Sequence, residues 1–151
     1  MSYVDLTLSD LTAPGHLPGG FSGSLELWAQ PVRVAAEACL LVDAVGVVVA
    51  ASPGCEGLLG IDASRAVGLP LVGSVLRLLD FGPAVADLPA WEVDKVPPRL
   101  AAKTGGLARG LMRVAGQGGV ARTVDAISVP LRDGPTGPVV GSLTFCTLVR
   151  Q

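Results

Sequence analysis

Histidine is all but missing from this sequence. His16 is the only one, and it stands in a stretch crowded with proline and glycine. A serine or cysteine nucleophile needs an adjacent base held by a third group, and no credible source of that base exists here. Cysteine is scarce as well. Cys39, Cys55 and Cys146 are odd in number and widely spaced, which suits small buried hydrophobes and neither a disulfide framework nor a zinc site. Basic residues never cluster, and 11 Lys and Arg against 13 Asp and Glu leave a net charge of −2. Without a positive footprint, neither nucleic acid nor an anionic membrane surface is an expected partner. The longest apolar run, AVGVVVAA, is far short of the ~20 residues that cross a bilayer. The opening MSYVDLTLSDLTAPGHLPGG has no Lys or Arg and no continuous apolar segment, so it reads as neither a secretory signal nor a transit peptide and the expected location is the cytoplasm.

What remains is an apolar chain of 151 residues, half of them hydrophobic, enough for one domain with a core that folds without staples. The abundance of Ala, Gly, Val and Leu suggests a GC-rich genome and says nothing about function. Residues 1–23, with Pro14, Gly15, Pro18, Gly19 and Gly20, are expected to form a flexible tail. A lead-in helix is expected over 24–37, capped by Ser24, with Leu25, Trp28 and Val32 at helical spacing and Pro31 breaking or kinking it.

Two apolar runs, Cys39–Asp43 and Val47–Ser52, flank DAVG and predict a β-hairpin, with Asp43 as the turn's side-chain acceptor and Gly46 as its left-handed residue. Because both runs are apolar throughout, both faces of the hairpin should be covered, one by helices and the other by further apolar surface such as a second subunit. Ser52 is placed to cap a short helix, PGCEGLLG, that stops at Gly60. Asp62 or Ser64 starts a further turn, closed by Gly68. Leu69 to Phe81 reads as a third helical segment with Leu71, Val75, Leu78 and Leu79 on one side. A proline-rich connector then leads into a helix over PPRLAAKTGG. The last 45 or so residues give three strand-like runs separated by glycine-rich turns, an antiparallel meander. In its last strand Val139, Gly141, Leu143, Phe145, Thr147 and Val149 face one way and Val140, Ser142, Thr144, Cys146 and Leu148 the other.

Neither acid–base nor phosphate chemistry has an evident home. Asp43 and Asp133 sit at turns, and Asp87, Glu92 and Asp94 lie in the polar connector. Asp125 alternates with Ile127 and Val129 on a strand, facing either solvent and a neighbouring Arg or a polar ligand. GQGG, residues 116–119, is a turn, since a phosphate cradle requires a following helix and usually a Lys.

The order strand, strand, short helices, connecting helix, three strands is an α+β architecture. The stretch LLVDAVGVVVAASPGCEGLLGIDASRAVGLPL resembles the front half of a PAS domain, at Asp43, Gly46, Ser52, Glu56, Leu58, Leu59, Gly60, Gly68 and Leu71. ARTVDAISVPLRDGPTGPVVGSLTFCTLV resembles that family's last two strands. The resemblance implies a five-stranded antiparallel sheet with short helices on one face and an N-terminal lead-in helix, the domain running over 38–151. It implies a non-catalytic sensory or regulatory module that binds a small ligand or a protein partner and dimerises, with a flavin- or haem-binding sensor and a purely structural dimerisation scaffold as the alternatives. No kinase, cyclase or DNA-binding part is recognisable, so output should pass through a signalling partner.

The expected interface is Leu25, Trp28 and Val32 with the sheet's outer face. The expected pocket is lined by Leu40, Val42, Leu58, Leu59, Leu76, Met112, Asp125, Ile127, Val129 and Phe145, suiting a small apolar ligand or nothing. No cofactor is expected. LVGSVLRLLDF lacks the cysteine of the light-sensing branch, which disfavours a flavin–cysteinyl photocycle, and the connecting helix lacks the histidine that would hold haem.

Overall fold

A computed structural model describes residues 23–150. The expected flexible tail, His16 included, lies outside the described residues except for Gly23. The elements run as helix α1 (Gly23–Val34), strands β1 (Ala38–Asp43) and β2 (Val48–Ala51), helices α2 (Gly54–Leu59) and α3 (Ala63–Ala66), strand β3 (Leu78–Leu79), helices α4 (Ala90–Val93) and α5 (Pro97–Thr104), and strands β4 (Ala108–Ala115), β5 (Ala121–Arg132) and β6 (Val139–Leu148). All strand pairings are antiparallel, in the order β2-β1-β6-β5-β4-β3. The α+β reading holds; the two-residue β3 adds a sixth strand to the five expected.

The hairpin forms as its turn chemistry dictates. Asp43 Oδ1 accepts from the backbone N–H groups of Val45 (3.0 Å) and Val47 (2.9 Å), and Gly46 takes φ 95°, a value costly to any residue with a Cβ. The first three β1 residues on one face, Ala38, Leu40 and Val42, join the main core with Cys55, Leu59, Leu71, Leu76 and Met112. On the opposite face Cys39 and Leu41 join Leu25, Ala29 and Val32 of α1 in a second core. That double burial explains why β1 shows no polar alternation: the cover expected from another subunit comes from the chain's own α1.

Three local expectations fail for physical reasons. Helix α1 ends at Val34, not Glu37, and Pro31 lies inside it. Ser52 does not cap α2. Its hydroxyl donates to the Glu37 carbonyl (2.6 Å) and accepts from Cys39 N–H (2.9 Å), tying the entry of β1 to the exit of β2, while the N-cap residue Pro53 offers no side-chain acceptor. The segment 69–81 is not a helix. One wide turn, Leu71–Val75, is interrupted by extended Val72 and by Gly73 at φ 92°, because the backbone there is engaged elsewhere: Leu71 N–H donates to Gly46 O (2.8 Å) and Val48 N–H to Leu69 O (2.9 Å). Leu78 and Leu79 then pair with β4.

The same bonds close the sheet's edges. Residues 68–70 run along β2, with Gly68 N–H on Val48 O (2.8 Å). Residues 86–88 run along β3, with Leu88 N–H on Leu78 O (2.9 Å). Unpaired edges invite strand addition, and both are blunted here.

Candidate functional site

The sheet has two faces, and the sequence-predicted pocket residues divide between them. Leu40, Val42, Leu59, Leu76 and Met112 lie in the main core under the short helices, each at most 2 % exposed, with Leu58 packed at its margin. Asp125, Ile127, Val129 and Phe145 lie on the outer face and are not brought together with them. The division follows from strand parity: the first three buried residues of β5 are Val124, Ala126 and Ser128, so the odd-numbered residues between them point outward, and Leu131 on that outer side is buried only because α1 covers it.

The inner face carries polar groups that sequence reading passed over. Ser128, Ser142 and Thr144 are completely buried. Ser128 and Thr144 stand opposite one another on β5 and β6, their hydroxyls 2.6 Å apart, and Ser142 Oγ donates to the carbonyl of Pro98 at the start of α5 (3.0 Å). Each hydroxyl has a partner, so none is left aimed at a ligand. The alternation of small polar residues with Leu143 and Phe145 was the available signal, and it marks an interior whose polar groups satisfy one another.

The outer face is half covered. Helix α1 lays Leu25, Ala29 and Val32 over β1, β2 and the ends of β5 and β6, against Leu41, Val49, Leu131 and Leu143. Gly141 permits this approach, since a Cβ there would collide with Val42 O and lie 2.9 Å from Leu25 Cδ2. Leu25 and Val32 are therefore turned onto their own sheet, and of the three expected interface residues only Trp28 faces solvent, at 42 % exposure. Where α1 stops, apolar side chains stand open: Leu111, Val129 and Phe145 are 55, 36 and 41 % exposed. Phe145 pairs across the strands with Ile127 and Val129 with Leu143, so the patch continues directly from the covered half.

One ion pair crosses this open region. Arg109 donates to Asp125 through Nη2 (2.7 Å) and Nε (3.3 Å), in the two-pronged geometry that favours Arg over Lys. Those hydrogen bonds lower the Asp125 pKa and raise that of Arg109. Of the two roles open to Asp125, pairing with a neighbouring Arg is the one found.

The three cysteines are free and buried. Burial raises the pKa of Cys39 and Cys55 and pushes Cys146 up to about 12, so all are neutral thiols with little nucleophilic character. Among the described residues no three His, Cys, Asp or Glu side chains gather to hold a metal. No helix there is long and apolar enough to cross a membrane.

A concave feature lies at the margin of the main core, between the β1–β2 turn and α5. It is a cleft of about 460 Å³ lined by Val42, Asp43, Gly46, Leu71, Asp94, Pro98, Arg99, Ala102 and Lys103 among others. Apart from Val42, none of these belongs to the sequence-predicted pocket.

No family model matches the chain, and no curated protein matches it either. Solved structures do. The PAS domain of a Colwellia psychrerythraea protein superposes with a TM-score of 0.59 at 21 % identity, over 83 % of this chain and 96 % of that one. The chain has the PAS fold. The PAS domain of Bordetella pertussis BvgS matches at 13 % identity and TM-score 0.53, over 84 % of this chain and 86 % of that one. An RNA-binding light-oxygen-voltage receptor matches at 22 % identity and TM-score 0.60, over 91 % of this chain but only 36 % of that one.

A flavin–cysteinyl photocycle and histidine-ligated haem each need a particular side chain, and the described residues do not supply it where the sequence resemblance would put it. The segment 71–79 holds no cysteine, and the cysteines present lie on β1, α2 and β6 with their thiols protonated. Helix α5 holds no histidine. Met112 is packed in the main core among Leu40, Leu59 and Leu76.

Proposed function

We propose that this protein is a non-catalytic sensory and regulatory PAS module of the cytoplasm that dimerises and passes its signal to a protein partner. The outer face of β4, β5 and β6 and the exposed side of α1 are the association surface in this reading. One observation carries it: Leu111, Val129 and Phe145 form an apolar patch that begins where the cover of α1 ends. An uncovered apolar area flanked by polar groups, here Arg109, Asp125 and Thr147, is the usual mark of an interaction surface. Trp28 on the neighbouring helix is a suitable anchor, since aromatic side chains dominate such interfaces. Both sheet edges are occupied by the chain's own backbone, which favours face-to-face contact over strand addition.

A small apolar ligand within the main core is the weaker reading. Leu40, Leu59, Leu71, Leu76 and Met112 already pack against one another there. Similarity to a protein that binds RNA does not extend that activity to this chain, which matches only about a third of that receptor and has a net negative charge.

Sedimentation velocity over a range of concentrations tests the proposal. The native chain should double in mass with concentration, and Phe145→Lys should remain monomeric while keeping its urea midpoint. A native chain that stays monomeric, or a Phe145→Lys chain that dimerises like it, removes the outer face from this role.

A further inference from the structure

We propose that the cleft between the β1–β2 turn and α5 is a binding site for a small organic acid: one carboxylate on an apolar body. Its volume of about 460 Å³ falls within the range of about 300–1,000 Å³ in which small-molecule sites lie. The floor is apolar. Val42 and Leu71 are 2 and 1 % exposed, and Pro98 and Ala102 come from one face of α5.

Four charged groups line the walls, and their partners decide the sign of the ligand. Asp43 Oδ1 is held by the N–H groups of Val45 and Val47. Arg99 Nη2 donates to Asp94 Oδ1 at 2.8 Å, and its Nη1 lies along the turn, 3.1 Å from where a Cβ on Gly46 would sit. Lys103, one helical turn beyond Arg99 and lining the same cleft, has no ion-pair partner among the described residues. The four charges sum to zero, and Lys103 is the one among them with neither a hydrogen-bond nor an ion-pair partner among the described residues, beside an apolar floor. A carboxylate supplies the complementary charge. The two acids on the same walls repel a second negative charge, which argues against phosphate esters and dicarboxylates.

The site is separate from the outer sheet face, so its fate and that of the association surface are independent. The test is amide-resonance titration of the full chain with 3-phenylpropionate and, in parallel, with its uncharged analogue 3-phenylpropionamide. The acid should give saturable shifts at Gly46, Leu71 and Lys103, and the amide should bind about tenfold more weakly or worse. Lys103→Met, at an exposed position, should cost the acid a similar factor. Ala102→Phe should block both probes by filling the floor, with the remaining spectrum unchanged. Equal binding of acid and amide, unchanged affinity in Lys103→Met, shifts that map elsewhere, or no saturable shift at millimolar acid would each overturn the proposal.

Discussion

The buried hydroxyl pair of Ser128 and Thr144 allows a quantitative test of the interior. Both residues are 0 % exposed, they face each other across β5 and β6, and their oxygens are 2.6 Å apart. Ser128→Ala removes one hydroxyl and leaves Thr144 Oγ1 buried without its partner; Thr144→Val does the converse. An orphaned buried polar group costs ~1–3 kcal/mol, whereas replacing both members by apolar groups of similar shape is close to neutral. Each single variant should therefore lose ~1–3 kcal/mol in urea-monitored unfolding. The double variant should lose less than either, so the coupling energy in the double-mutant cycle should exceed either single loss in magnitude. For a domain of this size that is a fall of several degrees in Tm for each single variant. Additive losses, or singles indistinguishable from the native chain, would refute the assignment of these hydroxyls as mutually satisfied and dry. They would point instead to a hydrated interior, and with it to a cavity large enough to hold a ligand.

Further outcomes follow from the same packing. Gly141→Ala places a methyl group against Val42 O and Leu25 Cδ2; overpacking of this kind costs ~1–3 kcal/mol, and near-ultraviolet circular dichroism of Trp28 should change as α1 is displaced. Cys146 couples stability to alkaline pH. Its thiol pKa is raised from 9.0 to about 12, so the folded chain keeps a proton that the unfolded chain releases. The associated stability is full below pH 9.0, and is lost as pH rises toward about 12. Within that window the native chain should lose up to ~1.4 kcal/mol per pH unit more than Cys146→Ala, and parallel stability curves for the two chains would contradict the burial of that thiol.

Much of this fold was legible because it rests on local chemistry. The Asp43–Gly46 turn, the left-handed stops of α2 at Gly60 and of α5 at Gly105, and the glycine-punctuated meander are each written within a few consecutive residues. The misreadings occur where distant backbone decides the outcome. Leu71, Val75, Leu78 and Leu79 have helical spacing, yet the segment is held extended by bonds to Gly46 and Val48 and by pairing with β4. Ser52 has the type and position of a cap, but its partners are Glu37 and Cys39, more than ten residues away.

The pocket was misdrawn for a different reason. Apolar residues were assigned to the interior, but β5 and β6 invert that rule over their middle portions. Ser128, Ser142 and Thr144 point inward with satisfied hydroxyls, and Val129 and Phe145 point outward. Period-two alternation separates the two faces of a strand, but it does not say that the more polar of them is the buried one. The cleft beside α5 was invisible for a similar reason, since it brings together the hairpin turn and a helix more than 50 residues further along.

The central claim is that the open half of the outer face is where this PAS module meets a second copy. The most direct measurement is methyl relaxation by a soluble paramagnetic agent, recorded for Leu111, Val129 and Ile127 at low and high protein concentration. The account predicts that these methyls lose contact with the agent as concentration rises, while Val67 and Leu69 beside α3 stay accessible. Association that protects Val67 and Leu69 and leaves Leu111 and Val129 exposed would contradict it.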